Sequence, residues 1–402
     1  MSGASESEIP RPVEDARKVR EIAAELRRAG RFALDLEFVS ESRYVPELCL
    51  VQVGWGDPDA PEVAAIDPLA ADPLPVLGLV ADPEVEVVLH SAQGDLALLG
   101  TRLGLAGRNV VDTQVAAAFL GLGDQVGYAG LVEELRGTTI DKAHQFTDWC
   151  RRPLSDDQLR YALDDVRHLP AIWRELSERL AARGRLGWAA EESAAVARTA
   201  ATRTEPEEMY RRIRGHERLK PAALGALRAL AAWREREALA SNRPPSWLVK
   251  DPTLLEIARR LPERPAELRG IRGLSEGAAR RHGRVIVEAV RTGHGDPPPL
   301  APHPRRLPGR ARGWGSLVAG LVQARCREAD VAPRFVASRA DADALVRWWV
   351  EGGAEGEPEP DLPLLSGWRR ELAGQAALDW LAGQTAIAAD PASASGLKLV
   401  ES

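Results

Sequence analysis

Three cysteines in 402 residues, at positions 49, 150 and 326, share no pairable spacing. That speaks against a disulfide framework and against a zinc site. Cys49 lies within an apolar, strand-like run and reads as a core residue. No apolar run is long enough to cross a bilayer. Residues 1–10 are polar and acidic, without the pattern of a secretory leader. Together these absences predict a soluble cytoplasmic protein with no membrane partner. Lysine is scarce beside arginine, and Ala, Gly and Pro are abundant, which reflects a GC-rich coding sequence and carries no function.

What remains is an ordinary globular composition, 45% hydrophobic, with a formal net charge of −6. A chain of this length predicts two or three domains. The overall charge does not suggest a nucleic-acid partner, but its distribution does. Residues 207–295 contain 19 Lys and Arg against 11 Asp and Glu, a local excess of +8, so the rest of the chain carries −14. A basic segment of this kind is an electrostatic footprint for a polyanion.

Three short stretches carry the chemistry. Asp35 and Glu37 stand two residues apart in the apolar run Phe32–Phe38, and alternate residues of a strand face the same side. Two adjacent anions are costly unless a cation lies between them. Asp95 follows in the run His90-Ser91-Ala92-Gln93-Gly94-Asp95. Tyr161 and Asp165 are four apart in a helical pattern and share one face. Four carboxylates and a phenol, with no cluster of thiols or imidazoles, suit hard cations such as Mg²⁺ or Mn²⁺. Two such ions are common machinery for in-line attack on a phosphodiester. Asp164 lies about 100° round the helix from Asp165 and is expected to face solvent.

Asp-x-Glu, a distant Asp and then Tyr-x-x-x-Asp resemble the tyrosine class of the DEDD 3′→5′ exonucleases. Leu131–Leu135, Asp141-Lys142, Thr147–Trp149, Arg152–Leu154 and Gln158–Val166 narrow the resemblance to the ribonuclease D family. It covers residues 10–180. One departure is Leu36, where the family often has Thr; that side chain points away from the acids. The resemblance implies a ribonuclease H-like mixed sheet at residues 1–190, followed by two small all-α bundles. These are an HRDC domain at 207–295 and a degenerate HRDC-like domain at 312–390. It also implies a metal-dependent exoribonuclease that trims 3′ ends of tRNA precursors and other small structured RNAs and releases nucleoside 5′-monophosphates. Asp35, Glu37, Asp95 and Asp165 are then the metal ligands. Asp35 bridges both ions, and Tyr161 orients the attacking water. Leu36, Phe38, His90, Lys142 and Arg152 are candidates for substrate contact. A DNA exonuclease with the same acids and a non-catalytic RNA-binding protein are the alternative readings.

Along the chain, periodicity predicts a helix over 13–29 and strands over 31–38, 47–55, 62–66, 86–90 and 109–111. Further helices are predicted over 72–80, 94–103, 113–120, 128–135 and 155–182, the last opened by a capping box of Ser155 and Gln158. Asp112 reads as an N-cap, Gln52 as structural and Trp149 as a packing anchor. Residues 189–207 read as a linker, 295–309 as a Pro- and Arg-rich linker, and 388–402 as a disordered tail.

Overall fold

The computed structural model describes residues 9–140, 147–299, 307–353 and 358–401. The N-terminal part is built on five strands: β1 (Arg31–Val39), β2 (Glu47–Asp57), β3 (Ala60–Ile66), β4 (Glu86–Leu89) and β5 (Val110–Asp112). Their order is β3-β2-β1-β4-β5. The first three form an antiparallel meander, whereas β4 and β5 join β1 in parallel. The sheet is therefore mixed, as the resemblance implies.

Helices cover both faces: α1 (Ala16–Ala29), α2 (Leu74–Leu77), α3 (Gln93–Leu103), α4 (Thr113–Ala118), α5 (Tyr128–Arg136), α6 (Asp156–Arg167), α7 (Leu169–Ala182) and α8 (Leu186–Ala201). Alternation in β1 sorts its side chains. Phe32, Leu34 and Leu36 enter a core shared with α1 and α3. Ala33 enters the opposite core, with α4 and α7. Asp35 and Glu37 share that second face. The predicted 155–182 helix is broken at His168, where α6 ends and α7 starts with Pro170 in its first turn. The expected linker at 189–207 is instead largely α8. It packs on β5 and α3, and the Ser193 hydroxyl accepts a hydrogen bond from Asp112 N at 3.1 Å.

A second unit follows: α9 (Pro221–Ser241), α10 (Pro245–Leu248), α11 (Asp251–Arg260) and α12 (Glu276–Gly295), with its own core. The α9 and α12 backbones nearly touch. A Cβ at Gly225 would stand 2.0 Å from the Gly293 carbonyl oxygen, so both crossings require glycine. A third unit contains α13 (Trp314–Glu328), α14 (Arg339–Val350), α15 (Gly367–Arg369) and α16 (Gln375–Leu381). It ends in an antiparallel hairpin, β6 (Thr385–Ala389) and β7 (Leu397–Glu401). The expected disordered tail is therefore a two-stranded ribbon. A tight turn from Asp390 to Gly396 closes it and is held by Asp390 N donating to Gly396 O.

The third unit is not a separate bead. Its Leu321, Leu345 and Trp368 belong to the same apolar cluster as Phe119, Leu131 and Ile172 of the first. Phe119 stacks on Phe335 at 5.0 Å, and Trp188 stacks on Trp368 at 4.8 Å between ring centres. Arg369 pairs with Glu191 and with Glu192 of α8.

One cysteine expectation fails. Cys49 and Cys150 form a disulfide with 4.9 Å between Cα atoms, and only Cys326 remains as a buried free thiol. The separation of 101 residues carries no local signal; the sheet brings the two together.

Candidate active site

β1 presents the first two acids. Carboxylate oxygens of Asp35, Glu37 and Asp165 all lie within 4.8 Å of one another. Asp165 reaches them because α6 lies close over the sheet: a Cβ at Gly54 would stand 2.8 Å from the Val166 carbonyl oxygen. The start of α6 is fixed by the capping box. Gln158 N donates to Ser155 Oγ at 3.2 Å, and Ser155 N donates to Gln158 Oε1 at 2.9 Å.

Asp95 lies in the first turn of α3 and is buried. It falls outside the 4.8 Å group but within reach of the Asp35 charge. The turn that aims it is unusual. Ser91 takes a φ of 58°, a left-handed conformation that non-glycine residues seldom adopt. Asp112 holds it, accepting from Ser91 N and Ala92 N at 2.9 Å each. Asp112 also caps α4 through Gln114 N, so the predicted N-cap secures the Asp95 corner as well.

Electrostatics show that these acids are under-compensated. Burial first, then the charges of Asp35, Asp165 and Asp95, push Glu37 up to about 9. Burial, then Asp35 and Asp164, push Asp165 up to about 8. Burial raises Asp35 to about 6, against a hydrogen bond from the Leu36 backbone. Asp95 is raised well above the carboxylate range by burial and by Asp35. A set of hard oxygen donors with this excess of negative charge fits a divalent cation of the Mg²⁺ or Mn²⁺ kind. Burial and the neighbouring carboxylates also raise the Tyr161 phenol, which therefore stays protonated. Its ring packs on the buried Trp149, 5.9 Å between centres.

The candidate substrate contacts fare differently. Leu36 is in the core on the far face and cannot touch a ligand at the acids. His90 uses both ring nitrogens internally, Nδ1 with Thr113 Oγ1 at 2.9 Å and Nε2 with Val126 O at 3.1 Å. Arg152 is committed to buried Asp67 at 2.8 Å and to the carbonyls of Cys49 and Trp149 at 2.7 Å. All three side chains make internal contacts in the structure. Phe38 is partly buried and lies beside Gly94, next to the Asp95 turn. Lys142 lies outside the described residues. Asp164 is half-buried and paired with Arg167 at 3.0 Å, rather than simply solvated.

Two further polar residues lie near the acids. Tyr128 donates its hydroxyl to the Asp164 carbonyl at 2.8 Å and pins the last turn of α6. Gln52 is buried beside Asp35. A tyrosine opening a helix and a lone glutamine in a strand give no distinctive signal.

Comparison with known proteins decides the family. The 3′-5′ exonuclease family matches residues 10–181, and the HRDC domain family matches residues 223–290. Ribonuclease D of Gluconacetobacter diazotrophicus is 42% identical over 398 residues, covering 97% of this chain and 98% of that one. The chain belongs to the ribonuclease D family. Ribonuclease D of Granulibacter bethesdensis is 40% identical, with coverage of 97% and 98%. The crystal structure of Escherichia coli RNase D, described as an exoribonuclease involved in structured RNA processing, superposes with a TM-score of 0.80 at 29% identity. That match covers 92% of this chain and 98% of that one. The ribonuclease D assignment makes the chain a 3′-5′ exoribonuclease; a fold of this kind implies use of a divalent metal, and the acid cluster is a group that could hold one. Among the described residues no helix is long and apolar enough to cross a membrane.

Proposed function

We propose that this exoribonuclease trims the 3′ ends of tRNA precursors and other small structured RNAs in the cytoplasm, releasing nucleoside 5′-monophosphates. We further assign catalysis to Asp35, Glu37, Asp95, Tyr161 and Asp165, with the four carboxylates holding two divalent cations, Mg²⁺ or Mn²⁺. When bound, such ions supply Lewis-acid stabilisation to the attacking and leaving oxygens. The chain's own residues do the rest. Tyr161, held neutral, donates a hydrogen bond that orients the water toward the terminal phosphorus. The water oxygen forms the new bond to phosphorus as the bond to the 3′ oxygen breaks. Phe38, beside the Asp95 turn, is the remaining described candidate for packing against the terminal nucleotide.

The reading rests on one observation above all. Three carboxylates lie within 4.8 Å of one another, and they come from the Asp-x-Glu and Tyr-x-x-x-Asp stretches that resemble the motifs of the family. The Escherichia coli relative's role in structured RNA processing supports the substrate class. Residues 207–295 act as an HRDC domain that adds non-specific phosphate contacts, which position without specifying. Residues 312–390 are a second, degenerate unit of the same kind.

The test is to give the purified protein a 5′-labelled tRNA precursor with a free 3′-hydroxyl. One-nucleotide shortening and nucleoside 5′-monophosphates should appear with Mn²⁺ or Mg²⁺ and stop with EDTA. Cleavage of a circular RNA would overturn the exonucleolytic mechanism.

A further inference from the structure

Trp247 is 63% exposed, more than any other large apolar side chain among the described residues. Most of the chain's other tryptophans are at least partly buried, and five are within the core. A single exposed apolar side chain is ordinary on a folded surface; what sets this one apart is a rigid mounting beside cations, which is what base stacking uses.

Its mounting is stiff. Trp247 lies in the single turn of α10, behind Pro244 and Pro245, whose rings fix φ. Trp247 N donates to Pro244 O at 2.9 Å, and Val249 N donates to Pro245 O at 3.2 Å. Below it, Val249 is buried, and Arg234 donates to Val249 O at 2.8 Å and to Asp251 at 2.7 Å. The backbone is thus tied down while the ring stays outside.

Two cations stand close to it in the chain, one on each side. Arg243 and Lys250 are both exposed, and neither makes an ion pair among the described residues. Some arginines of this unit are neutralised, Arg211, Arg236, Arg260, Arg264 and Arg291 each pairing with a nearby glutamate, whereas others, Arg214, Arg259 and Arg269 among them, make no ion pair among the described residues and add to the positive charge of the unit.

The turn is also clasped to the nuclease sheet. Asn242 Oδ1 accepts from Tyr44 N at 3.1 Å and from Val45 N at 2.9 Å. Tyr44 donates its hydroxyl to Glu235, and Arg203 lies over its ring. Tyr44 belongs to the loop leaving β1, seven residues after Glu37, a separation of at most about 25 Å.

We propose that Trp247 is a base-stacking platform, flanked by Arg243 and Lys250, for a single-stranded stretch of RNA upstream of the nucleotide being removed. A flat ring with adjacent positive charge fits a nucleic-acid strand: bases stack on it and phosphates meet the cations. This rests on the RNA reading above and names where that RNA is gripped.

The test uses the full chain with Asp35→Asn to prevent cleavage. Affinity is measured for 5′-labelled single-stranded RNAs of about 4 and about 20 nucleotides. Trp247→Ala should weaken binding of the long RNA by about 5- to 150-fold, the range of one lost base stack. The short RNA should be affected far less. Trp247→Phe should recover most of the loss, and thermal stability should be unchanged. Arg243→Ala with Lys250→Ala should flatten the salt dependence by about 1.4 in log-log slope. Long RNA bound equally well by parent and Trp247→Ala overturns the platform while leaving the nuclease reading intact. A shift in oligomeric state without a change in RNA affinity would mark a protein contact and overturn it too. A parent chain that binds no RNA overturns both readings.

Discussion

Asp35 on β1 and Gln52 on β2 face one another in antiparallel register. Directly opposed residues share a face of the sheet, so the Gln52 amide lies beside the carboxylate. It is fully buried, and neither its nitrogen nor its oxygen has a protein partner among the described residues. An unpaired buried polar group costs about 1–3 kcal/mol. Gln52→Leu, of similar volume, should therefore raise the melting temperature of the metal-free protein by a few degrees. A fall of that size in thermal denaturation would show the amide to be satisfied by bound water.

The raised carboxylates predict a pH dependence of defined sign. Glu37 near 9, Asp165 near 8 and Asp35 near 6 all hold protons more tightly folded than unfolded. Their contribution to metal-free stability is complete below about pH 4 and is lost as pH rises through 6 to 9. In EDTA, the parent should lose more stability between pH 5 and pH 9 than a Glu37→Gln variant does. Added Mn²⁺ should stabilise the parent more at pH 8 than at pH 6, because ions displace these protons. Equal pH slopes for parent and variant in denaturant titrations would contradict the shifts.

Neighbouring aspartates on α6 should behave differently. Asp165→Asn or Asp35→Asn removes a carboxylate from the cluster and should cut hydrolysis by more than about 100-fold. Asp164→Asn loses a partly exposed pair with Arg167 and should cost at most about 1 kcal/mol of stability, with turnover nearly retained. Comparable losses of turnover in single-turnover assays would mean that the helix faces are misassigned.

Arg152 offers a test of framework against substrate contact. Its guanidinium binds buried Asp67; although burial opposes it, this pairing holds the Asp67 carboxyl below its usual range. Arg152→Met leaves that acid uncompensated and should destabilise the nuclease unit by about 3–5 kcal/mol. Urea denaturation should show the loss. A stable variant with only a raised KM for RNA would return Arg152 to the substrate site.

Much of this site was legible because its determinants are local. Alternation put Asp35 and Glu37 on one face, the helical interval paired Tyr161 with Asp165, and Ser155 with Gln158 marked where α6 begins. What escaped depends on distant partners. The Cys49–Cys150 bond joins β2 to the approach to α6 across 101 residues. Helix α8 was hidden by its polar face: Glu192 and Ser193 look solvated in sequence, yet Arg369 and Asp112 N bury them. The β6–β7 ribbon is only partly buried, leaning on the third unit through Ile387 and Leu399, so its residues lack the strong alternation of a sheet with a dry face.

The stacks of Phe119 on Phe335 and Trp188 on Trp368 have a topological consequence. The polypeptide leaves the nuclease after α8, is clasped again at Asn242 and returns to the nuclease with its third unit. The HRDC arm is therefore a span anchored at both ends rather than a pendulum. Its orientations are restricted before any RNA arrives, so less ordering entropy is lost at each encounter. A nuclease fragment ending near Ala201 would expose Phe119 and Trp188 to water and would be prone to self-association. A chain severed between its second and third units would instead remain one particle, its two pieces held together by the aromatic seam.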